Sequence, residues 1–447
     1  MTIVQKLVNF MASALACMWV FGVAIILFGG PLNASLEDDR TSANDPLLSV
    51  RGAVDVALFN NPSLAQMQAR YRALAEIPAQ LGTLPDPVLS VNALNFPTDT
   101  FHVGQEGMTQ MQLGISQLFP FPGKLALRER ASELDAQAAG HSVEESRIRL
   151  ISNVRSGWWQ LYYLDRALAV VDRNQTLLRG FVQVARTKYE VADGLQQDVL
   201  LAQLELSKLI DQKIQLLAVR RNQASQLNVL MDVLPNALVR LPKTVNESLP
   251  TLVSEAELYQ RAATHRPLLQ QMASQIESAQ SRLSLAEKEY YPDFKLGLAY
   301  GQRRGDMPSG DSRADLLSLM FSVNLPLHTV RRQSSAVRQR SHDLSENRYA
   351  LEDQYGQVRA EISAAVTDYQ RATQQMSLFK GGIIPQAQQT IASMQAGYQV
   401  NEVDFLNLIR SQVTLFTYQL RYWQALSEAN QALARLMAAA GEENIYE

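Results

Sequence analysis

The chain of 447 residues has one cysteine, five histidines, 7% aromatic residues and almost no imbalance of charge, with 41 basic against 44 acidic side chains. The single cysteine, Cys17, excludes an internal disulfide, a CxxC redox pair and any cysteine-based zinc site. His102, His141, His265, His328 and His342 show no ligand spacing, and Met108, Met111, Met307 and Met320 have no histidine cluster beside them for a soft-metal site. HExxH, GxSxG and GxGxxG are absent, and Gly123-Lys124 lacks the upstream glycine of a phosphate loop. A net charge of −3 offers no concentrated cationic face to a phosphate backbone. No enzyme, no bound cofactor, no metal site and no nucleic-acid partner are expected.

What is present begins with an apolar run. No charge occurs from Leu7 to Phe28 after Lys6, and the helix-breaking Gly29-Gly30-Pro31 leads to Ala34 and the polar Ser35-Leu36-Glu37-Asp38-Asp39. That layout predicts a secretory signal over residues 1–34, cut after Ala34. Cys17 admits a second reading as a lipid-modified N-terminus. No leucine stands three positions before it and the apolar stretch runs on to Phe28, so the core of the signal is the better reading.

The chain then repeats itself. Asn61-Pro62-Ser63-Leu64 lines up with Arg266-Pro267-Leu268-Leu269, and the same offset carries Pro87 onto Pro292. One further inserted residue brings Leu118-Phe119-Pro120 onto Asn324-Leu325-Pro326, and a slightly larger offset brings Tyr189, Val191 and Gln203 onto Tyr398, Val400 and Gln412. Residues 35–240 and 241–440 are therefore read as two structural repeats, with a short tail at 441–447. Each repeat reads as a helix, two strands and a long helical hairpin. The strands fall at about 87–95 and 109–119, then at about 293–302 and 315–325, and the hairpins at about 123–232 and 327–438.

No proline interrupts the chain between Pro122 and Pro235 or between Pro326 and Pro385. Apolar residues recur there at alternating steps of three and four. Ile151, Val154, Trp158, Leu161 and Leu168, interrupted by Asp165, do so in the first outgoing limb, and Val358, Ile362, Ala365, Tyr369, Ala372 and Met376 in the second. Val199, Ala202, Leu206, Leu209 and Leu216, then Leu406, Ile409, Val413, Phe416, Leu420 and Trp423, repeat it in the return limbs. This is the seam of a coiled coil. A helix over Gly123–Tyr189 would extend about 100 Å at roughly 1.5 Å per residue.

The strands alternate strictly. Leu89, Val91 and Ala93, Met111, Leu113 and Ile115, Phe294, Leu296, Leu298 and Tyr300, and Leu317, Leu319, Phe321 and Val323 are separated by polar or small residues, Met320 excepted. A half-buried sheet on a water-soluble core could produce this pattern. The lengths, near the ~9–11 residues of a tilted membrane strand, and the polar loops Phe96–Gly107 and Gln302–Arg313 favour a barrel with lipid outside and water inside. Four strands cannot close such a barrel, because open edges are not tolerated in hydrocarbon and about eight strands is the smallest membrane example. Two, three or four copies would supply about 8, 12 or 16 strands.

Four segments, LPDPVLSVNALNFPTD (84–99), QLFPFPGKLALRERA (117–131), YEVADGLQQDVLLAQ (189–203) and YQVNEVDFLNLIRSQ (398–412), in this order and repetition, resemble the TolC family of outer-membrane efflux factors over essentially residues 45–440. The strand-to-helix junction is most similar to the heavy-metal and cation efflux branch. The resemblance implies a mainly α fold with a small β part, a homotrimer with a 12-stranded β-barrel in outer-membrane lipid, and an α-barrel of helical hairpins reaching into the periplasm. It also implies a three-part pump with a periplasmic adaptor (membrane fusion protein) and an inner-membrane transporter of the RND type. The rival is a periplasmic coiled-coil adaptor without a barrel, which would show one hairpin set in a Gly-rich lipoyl-like domain.

The turns at Tyr189–Asp198 and Tyr398–Asn407 place both hairpin tips far from the strands, where a gate belongs. Gly194 is expected to relieve the first turn, and Asn401, which tolerates left-handed geometry, the second. The family's lock joins a tyrosine to an arginine and uses two aspartates. Tyr398 matches the tyrosine, Val403 stands in place of the arginine, and Asn407 and Arg410 stand in place of the aspartates. Tyr398, Glu402, Asp404, Asn407 and Arg410 are the gate candidates, with Arg410 pairing with Asp404 across a helix turn. Val191, Gly194, Asp198, Val400, Asn401 and Val403 are the candidates for contact with the adaptor. Lys124, Arg128 and Arg130, and Arg331, Arg332, Arg338 and Arg340, form basic clusters after each strand pair that could meet lipid head groups, line the tunnel mouth or be simply solvated.

Overall fold

The computed structural model of the chain describes residues 47–307, 309–400, 402–442 and 445. The expected signal segment with Cys17, the tip residue Asn401 and residues 443, 444, 446 and 447 of the tail lie outside the described residues.

Helices α1 (Val50–Asn60), α2 (Pro62–Ala75) and α3 (Ile77–Gly82) lead into β1 (Val88–Leu94) and β2 (Gln110–Phe119), then into α4 (Lys124–Glu190) and α5 (Gln196–Leu230). After an extended connection come α6 (Glu255–His265), α7 (Pro267–Lys288), β3 (Phe294–Arg303) and β4 (Leu316–Val323). The chain ends with α8 (Gln333–Leu378), a π-helical turn (Phe379–Ile383), α9 (Ile384–Gln399) and α10 (Phe405–Ala440). Among the described residues, no helix is long and apolar enough to cross a membrane.

The expectation of one opening helix per half needs correction, because each is broken. Asn61 and Arg266, each preceding a proline, take ψ 117° instead of a helical value, as the proline ring demands. The helices on either side are well started. Ser49 Oγ accepts from Gly52 N at 3.0 Å and Ser254 Oγ from Glu257 N at 3.2 Å. Pro62 and Pro267 open α2 and α7, where a missing N–H costs nothing.

Helix α4 runs 67 residues without a break, about 100 Å at roughly 1.5 Å per residue. Its length follows from what it lacks, an internal proline, and from what it packs on, since α5, α7 and α10 all lie along it. Val154, Leu161, Ala167, Val170 and Val171 are fully buried in these seams. Asp165, the interruption in the apolar pattern, is answered by Arg220 of α5, which also donates to Val239 O at 3.1 Å. The second hairpin departs from an unbroken run over 327–438. Its outgoing limb starts only at Gln333 and changes to a π turn where Gly381-Gly382 precedes Pro385.

The four strands form one antiparallel sheet in the order β1-β2-β3-β4, leaving β1 and β4 as edges. Register places Leu89, Ile115, Leu298 and Leu319 in one row across all four strands, and Val91, Leu113, Tyr300 and Leu317 in another. These rows lie on one face and are exposed, Leu319 by 81% and Val91 by 69%. The opposite face carries Ser90, Gly114, Ala299 and Ser318. A side chain at Gly114 would come 2.9 Å from Ser90 Oγ, and one at Gly301 would meet the Gln110 amide. The polar face is thus crowded where the apolar face is open.

The turn from β2 into α4 corrects the reading of the basic clusters. Gly123 takes φ +91°, and Lys124 behind it is 1% exposed rather than solvated. Its ammonium donates to Tyr291 O and Asp293 Oδ1, both at 2.9 Å, and meets Glu289 at 3.3 Å, while Phe121 N donates to the same Asp293 oxygen at 2.8 Å. Burial would raise the Asp293 carboxyl, but the bonds from Lys124 and Phe121 outweigh it and hold the group below its ordinary value of 3.8. The network contributes stability above that value and loses it as pH falls through the depressed pKa. Lys124→Met leaves the carboxylate uncompensated and is expected to cost about 3 kcal/mol at neutral pH. In urea melts of the detergent-solubilised protein, that loss should shrink at low pH; equal stability of both proteins at neutral pH would contradict the assignment.

Candidate gate at the hairpin tips

At the first tip, α4 closes with Val191 N donating to Thr187 O at 3.2 Å, Ala192 N to Tyr189 O at 3.0 Å and Asp193 N to Lys188 O at 2.8 Å. The left-handed residue is Ala192, at φ +61°, not Gly194. Gly194 is needed for space instead, because a Cβ there would lie 2.9 Å from Lys188 Cβ. The second tip closes with the same wide ring, Glu402 N donating to Gly397 O at 2.9 Å. A Cβ on Gly397 would lie 2.6 Å from Val403 Cγ2, so Val403 fills the place its glycine leaves. Asp404 then precedes α10, with Asn407 N donating to its carbonyl at 3.1 Å.

The two tips are joined through Tyr398. Its ring packs on the buried Phe405, centroids 5.1 Å apart. Lys188, from the first tip, donates to Tyr398 O at 2.8 Å, stands 4.7 Å over the Tyr398 ring and meets Asp193 at 3.7 Å. The Tyr398 phenol is buried without a hydrogen-bond partner among the described residues, and burial pushes its pKa up, with the Asp198, Asp193 and Asp404 carboxylates adding to the shift. Asp198 is 8% exposed. Burial and then the Asp404 charge raise its pKa, against weaker opposition from a Leu195 backbone bond and Lys188.

Of the gate candidates, Tyr398 and Asp404 thus sit in one cluster, joined by Asp198, which faces inward within the protomer and not outward as a contact residue. Glu402, Asn407 and Arg410 are exposed. Among the described residues Arg410 makes no ion pair with Asp404. Asp404 caps the helix six residues before Arg410, about 120° away around the axis, whereas neighbours on a helix stand three or four apart. Asn407, Arg410, Thr414, Thr417 and Arg421 instead form a polar stripe along α10. Val191 and Val400 are exposed at the two ends. Lys188 was not singled out by sequence; the signal was its place opposite Gly397 under the offset that brings Tyr189 onto Tyr398. Behind the tips, Gln412 donates to Asn174 at 2.7 Å in a buried polar contact that fixes the register of α4 against α10.

A carboxyl with a raised pKa stabilises the folded tip while protonated and loses that contribution as pH rises through the raised value. Asp198→Asn, which mimics the protonated group, should therefore slow amide exchange at Val191–Leu195 at neutral pH. The difference from the natural chain should vanish in acid. Equal or faster exchange in the variant at neutral pH would refute this origin.

Comparison with known proteins agrees with these features. A family profile described as outer membrane efflux protein matches residues 258–442. The chain is 23% identical over 438 residues to the outer membrane efflux protein BepC of Brucella suis, spanning 95% of this chain and 91% of that protein. It is 25% identical over 183 residues to the cobalt-zinc-cadmium resistance protein CzcC of Cupriavidus metallidurans, 39% of this chain and 40% of that one. The solved structure of the outer membrane protein VceC of Vibrio cholerae superposes with a TM-score of 0.74 at 18% identity, over 88% of this chain and 97% of that one. The paired rods capped by a four-stranded sheet are therefore the fold of the outer-membrane channel proteins. Residues 258–442 thus match the outer membrane efflux protein family, and the whole described chain shares the fold of its solved channel neighbours.

Proposed function

We propose that the protein is the outer-membrane channel of a tripartite efflux pump, a passive conduit from periplasm to exterior that makes no bonds. The observation that carries this reading is the sheet: two edges unpaired among the described residues, one continuous apolar exposed face, and a second face mostly of small and polar residues. Backbone edges are not tolerated in hydrocarbon, so sister copies must complete the wall. The family's threefold closure gives 12 strands over a helical tunnel, and the order of elements in the two halves supports a duplicated plan of 35–240 and 241–440. A periplasmic adaptor would meet the exposed tip residues Val191 and Val400, and an inner-membrane transporter of the RND type would supply the energy. Heavy-metal cations and other small toxic compounds fit as cargo, the first through the likeness to CzcC. Among the described residues no group of ligands could hold a metal ion, and cargo in transit needs none. The rival reading, an adaptor without a barrel, leaves the sheet unexplained.

In this reading the gate is Tyr398 with Asp404, closed by Lys188 and flanked by the exposed Glu402, Asn407 and Arg410. In planar bilayers the purified protein should conduct, and unheated samples should migrate as a trimer. Leu319→Arg, on the apolar face, is expected to cost about 2–4 kcal/mol and abolish insertion, whereas Ser318→Thr, on the other face, should insert normally. Soluble monomer from the natural chain, or equal insertion of both variants, would refute the conduit.

A further inference from the structure

The inference that follows rests on the channel reading. Helices α4, α5 and α10 run unbroken, but the limb opposite α10 passes through the π turn Phe379–Ile383, where Ile384 N donates five residues back to Phe379 O. The sequence cause is local: Gly381-Gly382 weakens the helix and Pro385 has no N–H to offer it. Packing does not require the glycines. A Cβ on Gly381 would meet nothing within 4 Å, and on Gly382 the nearest atom is Leu378 Cδ1 at 3.7 Å. What the pair supplies is backbone freedom.

The apolar core is also divided here. Phe379, Tyr422 and Ala425 form a small cluster of their own. On the tip side lies a cluster that includes Ile391, Tyr398, Phe405 and Ile409, and away from the tip another that includes Ile362, Tyr369, Leu433 and Leu436. One side chain from outside the rods spans the break. Glu247, in the extended connection between α5 and α6, accepts from Lys380 Nζ at 2.7 Å and from the Tyr422 hydroxyl. Phe379 packs on Tyr418 with centroids 5.4 Å apart, and Lys380 lies 5.8 Å over the Tyr422 ring. The connection itself is pinned to the rods, with Tyr369 donating to Pro250 O at 2.6 Å.

We propose that the π turn is a hinge for the tip-side arm α9, and that Glu247 is its latch, holding the arm shut by bonding the turn and α10 at once. The test uses the full chain in planar bilayers. Glu247→Gln is expected to raise the open fraction about tenfold, the value of one charged hydrogen bond. Lys380→Met and Tyr422→Phe, each removing one arm of the latch, should raise it less. Adding Gly381→Ala and Gly382→Ala to Glu247→Gln should lower it again, since both positions have room for a methyl group and alanine stiffens a helix. A natural chain that never conducts refutes the conduit. Conductance with an unchanged open fraction in Glu247→Gln refutes the latch alone, and a double alanine chain that opens as freely as Glu247→Gln refutes the hinge. Should Glu247→Gln fail to form the heat-resistant oligomer, Lys380→Met, whose side chain is 63% exposed, decides the latch in its place.

Discussion

Everything in this molecule is subordinate to two rows of backbone groups, one along β1 and one along β4, that find no strand partner among the described residues of the protomer. In water such edges are a hazard; in lipid they are prohibitive, because each unpaired group costs several kcal/mol. The sheet is built so that solving the problem by folding over a private core is unattractive. Its apolar rows are exposed, and its other face is lined mainly by small and polar residues such as Ser90, Gly114, Gly297, Ala299 and Gly301, a poor surface on which to build a core. Glycines on that face also let the strands curl without collision. On the conduit reading such a segment needs sister copies beside it, and that reading starts from the sheet before any relative is considered.

The rods must then be fastened to the wall at a fixed angle, and the sequence does this with charge. Lys124 begins the longest helix and binds Asp293, which immediately precedes β3, so the two central strands and the two helices below them meet at one ammonium. The Arg266 guanidinium, 3% exposed, does a similar task lower down between Glu361 and Glu145, bridging α7 to α8 and α4. Buried ion pairs contribute little net stability compared with apolar packing, but breaking one is costly. Their use here fits a need for one particular register between long rods whose apolar seams alone would tolerate sliding. The Asn174–Gln412 contact makes the same argument near the tips.

Periodicity made the regular parts legible. The steps of three and four along Ile151, Val154, Trp158 and Leu161, and the absence of proline to Pro235, were enough to expect a rod of about 100 Å, and the alternation of Leu317, Leu319 and Phe321 showed a strand and its apolar face. Long-range contacts were not legible. Lys124 resembled the arginines near it until Asp293 and Glu289, distant in sequence, were found around it. Asp198 read as a surface residue because nothing local announces that Asp404 stands beside it. The reading of Gly194 failed for a different reason: glycine serves both positive φ and close approach, and sequence does not say which. Gly381-Gly382 before Pro385 was visible, yet a search for continuous seams passes over the place where a seam is meant to give way.

On the proposed reading the tips hold a gate, and a gate must be closed by a margin small enough for a partner to overcome. Lys188 contributes a charged hydrogen bond and a ring contact, together about 2 kcal/mol. Against it stand Ala192 in left-handed geometry, which costs roughly 1–2 kcal/mol, and two carboxylates, Asp198 and Asp404, held together with Asp198 buried. These terms oppose the Lys188 contacts. A fully matched lock, with an arginine at Val403 and a glycine at Ala192, would close more firmly and would demand more of whatever opens it. The tolerance of mismatched residues at these positions is therefore what a conduit with an easily released gate would select, and a second restraint placed away from the tips, at the π turn, becomes useful because the first is weak.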